Sequence, residues 1–498
     1  MTDTPPANHR LDALRQLETL QEYEFVSPAP WVSRLRSAWN SVATKWQARP
    51  MMDQQSTFNR ALVDWLARPP GQSGADDLFA RSDRQQTRLA REVKWLSGIV
   101  GRWGDKHPGD RLSIAYFSPL PPSRSGIADY SAELLPHLAE LADVTVFAED
   151  PATVELPGMA IRPISEFPQS HAGYALPLYQ MGNSDQHDSV YAMLLRYPGV
   201  VVLHDYFLHH FIRHRTAGHG DWTGYSREMG YALGADGRRM VREVESGAAE
   251  APLFNVPLNQ RVLDSALGLI VHSRFAAERA RQYRPDLPLA IVPALVEMRT
   301  GRSLRERLEL PDKAVLFGSF GQITTEKRID AALSAFCHLL RRLPEARFLL
   351  VGDVQPDVDL PGLVTRLELD NAVHHIGYVH DLDEFINWIH SVDVVVNLRL
   401  PTVGETSAVA LRAMAAARPL IVYDHGWYSE LPGGAAVKVA PGDATALHEA
   451  METLAQSAAL RQSMGQAGYE YARSYCRPSL VAADYIDFVR AVLEPVYG

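Results

Sequence analysis

The stretch DVVVNLRLPTVGETSAVALRAMAAARPLIVYD, residues 393–424, decides the fold. It opens on an apolar run, turns through small and hydroxyl residues, enters an alanine-rich helical run and closes on a second apolar run. Strand, helix, strand in that order is the unit of a parallel sheet covered by helices on both faces. One acid, Glu405, stands in the turn between the first strand and the helix.

Working outward, the same alternation repeats. AVLFGSFGQ (314–322), ARFLLVGDV (346–354) and VHHIGYV (373–379) read as strands, with IDAALSAFCHLLRRL (329–343) and LDEFINWIHS (382–391) as helices between them. Upstream of the loop VPALVEMRTGRS (292–303), a separate series appears: RLSIAYFSPL (111–120), DVTVFAE (143–149), YALPLYQMG (174–182), GVVVLHD (199–205) and LGLIVHS (267–273). The helices YSAELLPHLAEL (130–141) and FAAERARQY (275–283) fall within it. The chain is therefore expected to be α/β, with two tandem Rossmann-like domains over residues 108–298 and 299–475. Their strand C-terminal ends would face one cleft. A last helix over 476–498 can pack on either domain.

Residues 1–107 have a different texture. Trp31, Leu35, Trp39, Val42 and Trp46 recur at spacings of three and four, which puts them on one helical face. Two readings stand: a helical bundle or coiled coil through which the chain self-associates, or an interfacial helix resting on an anionic membrane.

Composition narrows the function. With 498 residues, 46% apolar and 22% charged, the chain is of ordinary globular type and long enough for two or three domains. A net charge of -10 argues against nucleic acid as the partner, since phosphate binding needs a concentrated basic face. The two cysteines, Cys337 and Cys476, offer no disulfide frame and no metal cluster. MTDTPPANHRLD has no basic region followed by an apolar stretch, and no run of about eighteen apolar residues occurs. A soluble, cytoplasmic protein is expected, with peripheral contact at the inner face of a membrane left open.

The strand ends carry the chemistry. After the first strand, SPLPPSRSGIADYS (118–131) brings Ser125, Gly126 and Ile127 to a helix start, where amides can approach an anionic or hydroxyl-rich ligand. His204 and Asp205 follow the buried strand GVVVL, a position from which a histidine can exchange a proton with a substrate hydroxyl. The spacing of His209 and His210 from His204 is poor for a shared metal, and they read as helix surface or packing. In FGSFGQITTEKR (317–328), Lys327 and Arg328 near a helix start suit a diphosphate. Gly404, Glu405, Thr406 and Ser407 suit sugar hydroxyls, although Thr406 or Ser407 can also be a simple helix cap. Glu430, after the next strand, opens toward the same rim. The aspartate pairs Asp357/Asp359 and Asp381/Asp383 read as loop and helix-entry residues, so no metal is required.

Together these stretches, with YQMGNS (179–184) and its Asn183, resemble family 4 retaining glycosyltransferases of the GT-B fold, especially bacterial members that assemble surface polysaccharide or glycoconjugate. The resemblance covers roughly residues 111–475. It implies transfer of a sugar from a nucleotide-diphosphate sugar donor to a glycan or lipid-linked acceptor, without a cofactor. It implies His204 and Glu405 at the transferred sugar, Gly126, Lys327 and Arg328 at the donor diphosphate, and Gly404 to Ser407 around the sugar. Ser125, Ile127, Asn183, Asp205 and Glu430 become possible substrate contacts. Two positions depart from the family pattern. Gln322 stands where an arginine accompanies the lysine, with Arg328 as a substitute, and Arg412 stands where a second glutamate would hold the ribose. Those departures keep open a degenerate protein that scaffolds a glycan assembly complex; the two-domain cleft also fits a sugar-nucleotide epimerase, for which no convincing pair of acids stands in the first domain.

Overall fold

The computed structural model describes residues 111–497, apart from Arg124, Glu155, Pro157 and Asp312. The tryptophan-bearing helical region expected over 1–107 lies outside the described residues. Residues 220–251 belong to a compact unit separate from the one that holds both sheets. Their main element is the helix Trp222–Glu245, interrupted at Gly234, where φ is +64°.

The sheet-bearing unit contains two parallel sheets. The first orders its strands β3 (Ala160–Pro163), β2 (Asp143–Ala148), β1 (Ser113–Phe117), β4 (Leu176–Met181), β5 (Gly199–Leu203), β6 (Ala266–Val271) and β7 (Leu289–Ile291). The second orders β10 (Val373–Ile376), β9 (Arg347–Val351), β8 (Leu316–Phe320), β11 (Val394–Val396), β12 (Leu420–Tyr423) and β13 (Ala436–Val439). Both follow the doubly wound 3-2-1-4-5-6 order, with topological switch points between β1 and β4 and between β8 and β11.

The alternation of each strand explains the helices on both faces. Leu316 and Phe320 of β8, Leu349 and Val351 of β9 and Val395 of β11 point into one core. Phe317, Phe348, Leu350, Val394 and Val396, from the same strands, point into the other. The first of these cores runs on through Val292, Leu295 and Val296 to Ile114, Leu178 and Val202 of the first sheet. Helices α1 (Gly126–Leu141) and α2 (Arg274–Tyr283) serve the first sheet; α3 (Ile329–Leu340), α4 (Leu382–Ser391) and α5 (Ala408–Ala415) serve the second.

The last helix, α6 (Pro478–Tyr497), returns to the first domain and packs on α1, where Tyr485 and Tyr130 share a hydroxyl hydrogen bond of 2.7 Å. Gly268 on β6 lets it come close: a Cβ there would lie 2.7 Å from Val492. Two expected helix-entry acids are caps, Asp359 accepting from the Gly362 amide and Asp381 from the Glu384 amide. Cys476 is buried and Cys337 half-buried.

Candidate functional site

The loops that leave β1, β4 and β5 in the first sheet and β8 and β11 in the second line one cavity of about 470 Å³. Open parallel sheets bind ligands outside the carboxyl ends of their strands at switch points, and both switch points contribute here.

From the first domain, Ser125 caps α1 by accepting from the Ile127 amide at 3.2 Å. Gly126 is open to the cavity; a Cβ there would meet nothing within 4 Å. Asn183 is spent locally: its side-chain oxygen accepts from the Phe211 amide and its amide nitrogen faces His210 Nδ1 at 3.0 Å. The Asn183 backbone N–H donates to Asp205 at 2.8 Å. Burial first, and the nearby Glu405 carboxylate second, push Asp205 up to about 7 against the pull of that N–H and of Arg399.

His204 Nε2 lies 2.7 Å from Gln180 Oε1, so the proton sits on Nε2 and Nδ1 is the ring's remaining acceptor. Tyr130 and His272 pack edge-on and tilted against the ring. Burial, then His272 and His187, hold His204 well below the ordinary histidine range, which keeps it neutral. His209 is buried with Nδ1 near the Val256 carbonyl, and His210 packs on Phe254, as expected of packing residues.

From the second domain, Glu405 has one oxygen committed within its own loop, while the other is in an ion pair without a hydrogen-bond partner among the described residues. One oxygen accepts from the Thr402 hydroxyl at 2.7 Å and the Val403 amide at 2.8 Å; the other lies 2.7 Å from Arg399 Nε. Gly404 is buried at φ +77°, and a Cβ there would lie 2.6 Å from that of Tyr206 in the first domain. The adjacent Phe207 amide donates to the Val403 carbonyl at 2.8 Å. Gly404 is thus small because another loop presses on it; only Thr406 of its neighbours lines the cavity with Glu405. Ser407 is the cap of α5, accepting from the Ala410 amide and from Asn397 Nδ2.

Lys327, expected at the diphosphate, is not among the residues that line the cavity; its ammonium donates to the Phe320 carbonyl in the turn at Gly321. Burial and then the charge of Arg399 bring it down to about 7. Arg328 is elsewhere: it adopts a left-handed backbone, grips Asp330 with two bonds of 2.9 and 3.0 Å, and does not line the cavity. Glu430 requires a correction. Its oxygens accept from the Arg274 and Phe275 amides at 2.8 Å each, so it caps α2 of the first domain and leaves the rim without a free acid there.

Three cavity residues were not among the substrate contacts expected from the sequence. Arg399 lines the wall beside Glu405. Arg412 meets Glu133 of the first domain at 3.2 Å. His187 is buried, and its Nε2 has no hydrogen-bond partner among the described residues. A charged residue just past a strand is the only hint that Arg399 offered. Among the described residues no group of three or more His, Cys, Asp or Glu is arranged to hold a metal ion.

Residues 313–457 match the family described as Glycosyl transferases group 1. The alpha-D-kanosaminyltransferase of Streptomyces kanamyceticus is 28% identical over 165 residues, 33% of this chain and 42% of that protein, so the match spans less than half of that relative's length. Sucrose-phosphate synthase from Thermosynechococcus elongatus superposes with a TM-score of 0.54 at 19% identity, over 77% of this chain and 100% of that one. HepE of Anabaena, solved with UDP-glucose, gives 0.55 at 14% identity over 76% and 100%. The chain therefore has the two-sheet GT-B fold, and its second sheet domain matches the glycosyl transferases group 1 family over residues 313–457.

Proposed function

We propose that this protein is a retaining glycosyltransferase of the family 4 type, moving a hexose-like sugar from a nucleotide-diphosphate donor to a hydroxyl acceptor. The observation that carries the reading is the cavity wall at the second switch point, where Arg399 and the nearby Lys327 put positive charge beside the Glu405–Thr406 turn, opposite His204 and Asp205. The UDP-glucose bound in the HepE structure supports a nucleotide-sugar donor for a cleft of this fold.

In this reading the bond between the sugar's anomeric carbon and the diphosphate oxygen breaks as the acceptor oxygen attacks from the same face. The acceptor's proton passes to the leaving diphosphate. The cations stabilise the developing negative charge, so positioned charge does the work that a nucleophile does elsewhere, and no metal is asked for. Neutral His204 offers Nδ1 to a sugar or acceptor hydroxyl. The orphaned His187 Nε2 and the acid Asp205 give the first-domain wall further hydrogen-bonding positions for an acceptor.

The resemblance to polysaccharide-assembling enzymes makes a glycan or lipid-linked acceptor our choice, with the protein acting in the cytoplasm or at the inner membrane face. No described helix is long and apolar enough to cross a membrane. Co-sedimentation of the full chain with anionic vesicles tests membrane contact, and its mass in solution tests self-association.

The deciding experiment is thermal stabilisation by UDP, GDP and ADP and their sugar conjugates, followed by donor hydrolysis without acceptor. Stabilisation by one nucleotide together with slow hydrolysis supports the transferase. Neither effect favours the second reading, a non-catalytic scaffold, for which the capture of Arg412 by Glu133 is the specific support.

A further inference from the structure

The turn after β8 presents Gln322 to the cavity, where the resemblance expects an arginine for the donor diphosphate. An amide brings no charge to that place. Strands β8 and β11 are hydrogen-bonded neighbours, so residues just beyond their carboxyl ends emerge side by side. Arg399 follows β11 by three positions and lines the same cavity as Gln322.

We propose that Arg399 supplies the second cation for the donor diphosphate, taking over from the neighbouring strand the place that Gln322 leaves uncharged. This rests on the nucleotide-sugar reading above and deepens it, by assigning the Arg399 charge to the diphosphate position that Gln322 leaves empty.

Arg328 is held by both oxygens of Asp330 and is not on the wall. Arg412 is on the wall but is taken by Glu133. Arg399 lines the cavity with Nε in an ion pair with Glu405 at 2.7 Å and with Asp205 and Glu326 close enough to act on its charge, but no residue grips it in the two-bond manner in which Asp330 grips Arg328. That leaves the fork, the part of a guanidinium that binds phosphate oxygens in pairs, free to face a ligand. Arg399 also stands close enough to Lys327 for the two charges to oppose one another. A dianion placed against both would relieve that opposition. Glu405 then has a role besides sugar contact, since it holds the arginine that holds the phosphate.

The test measures binding of UDP, GDP and ADP, each against its own nucleoside, to the full chain and to R399Q, R399K and the double variant R399Q/Q322R. For the diphosphate that stabilises the native chain, R399Q is expected to bind about ten- to a hundred-fold more weakly, with nucleoside binding unchanged. R399K should recover only part, because it restores a point charge without the fork. R399Q/Q322R should recover most, because both side chains open on one cavity. If R399Q fails to fold, the R399K deficit for diphosphate over nucleoside is read in its place. Undiminished diphosphate binding in R399Q overturns the assignment and leaves the nucleotide reading intact. Equal losses for diphosphate and nucleoside, without recovery in the double variant, reduce Arg399 to a support of the Glu405 loop. No stabilisation of the native chain by any of the three diphosphates overturns the nucleotide-sugar reading itself.

Discussion

Arg412 of the second sheet domain and Glu133 of the first form an ion pair of 3.2 Å across 279 residues of sequence, with side chains only 13% and 9% exposed. Surface pairs contribute little, but a pair this enclosed punishes the loss of one partner, because the other charge stays buried and alone. Burial already raises the Glu133 carboxyl, with Arg412 opposing that rise. Arg412→Met is expected to lower the urea midpoint by the equivalent of about 3–5 kcal/mol. Adding Glu133→Met should recover most of the loss. Additive losses in the double-mutant cycle would show that the pair is not coupled.

Asp205 gives the fold a pH dependence of definite sign. Its folded pKa of about 7 lies above the unfolded carboxylate value of about 3.9, so the folded state binds the proton more tightly. Stability from this group is complete below about pH 4 and declines as pH rises toward about 7. Asp205→Asn should therefore raise the thermal midpoint at pH 8, by the equivalent of up to about 4 kcal/mol, and leave it unchanged near pH 4. A variant less stable than the native chain at pH 8 would contradict this.

Lys327 titrates in the opposite sense. Burial and Arg399 bring its ammonium down to about 7, so at pH 8 much of it is neutral in the free protein. A bound diphosphate favours the charged form, and binding should take up a proton. Calorimetry at pH 8 in two buffers of different ionisation heat is expected to show uptake approaching one proton per diphosphate, with affinity falling as pH rises above about 7. Zero uptake would place the lysine away from the phosphate.

Glu430 is a stability element. Replacing it by Ala removes two acceptors from the start of α2, a loss of about 1–2 kcal/mol. The expected readout is a lower unfolding midpoint with the affinity for nucleoside diphosphate unchanged.

The fold could be read from the chain because its determinants are local. Runs such as LFGSF and RFLLV are short, apolar and bounded by turns, and their spacing to the next helix leaves only a parallel sheet. Ser125 and Ser407 were legible as helix entries for the same reason. The site was legible in outline, since His204, Asp205 and the Glu405 turn sit at strand ends. What stayed hidden was pairing at a distance. Nothing near Glu430 announces partners 155 and 156 residues away. Nor does LRLP announce that its arginine lines one cavity with Gln322, because that depends on which strands are neighbours.

The contact between Gly404 and Tyr206, with the Val403–Phe207 bond beside it, bears on how such a protein can be recombined. The acids Asp205 and Glu405 ride on loops that are stitched together across the domain boundary, so the side chain allowed at 404 is dictated by residue 206. A chimera that took one sheet domain from a relative would fail at this seam before it failed at any ligand contact, unless both positions travelled together.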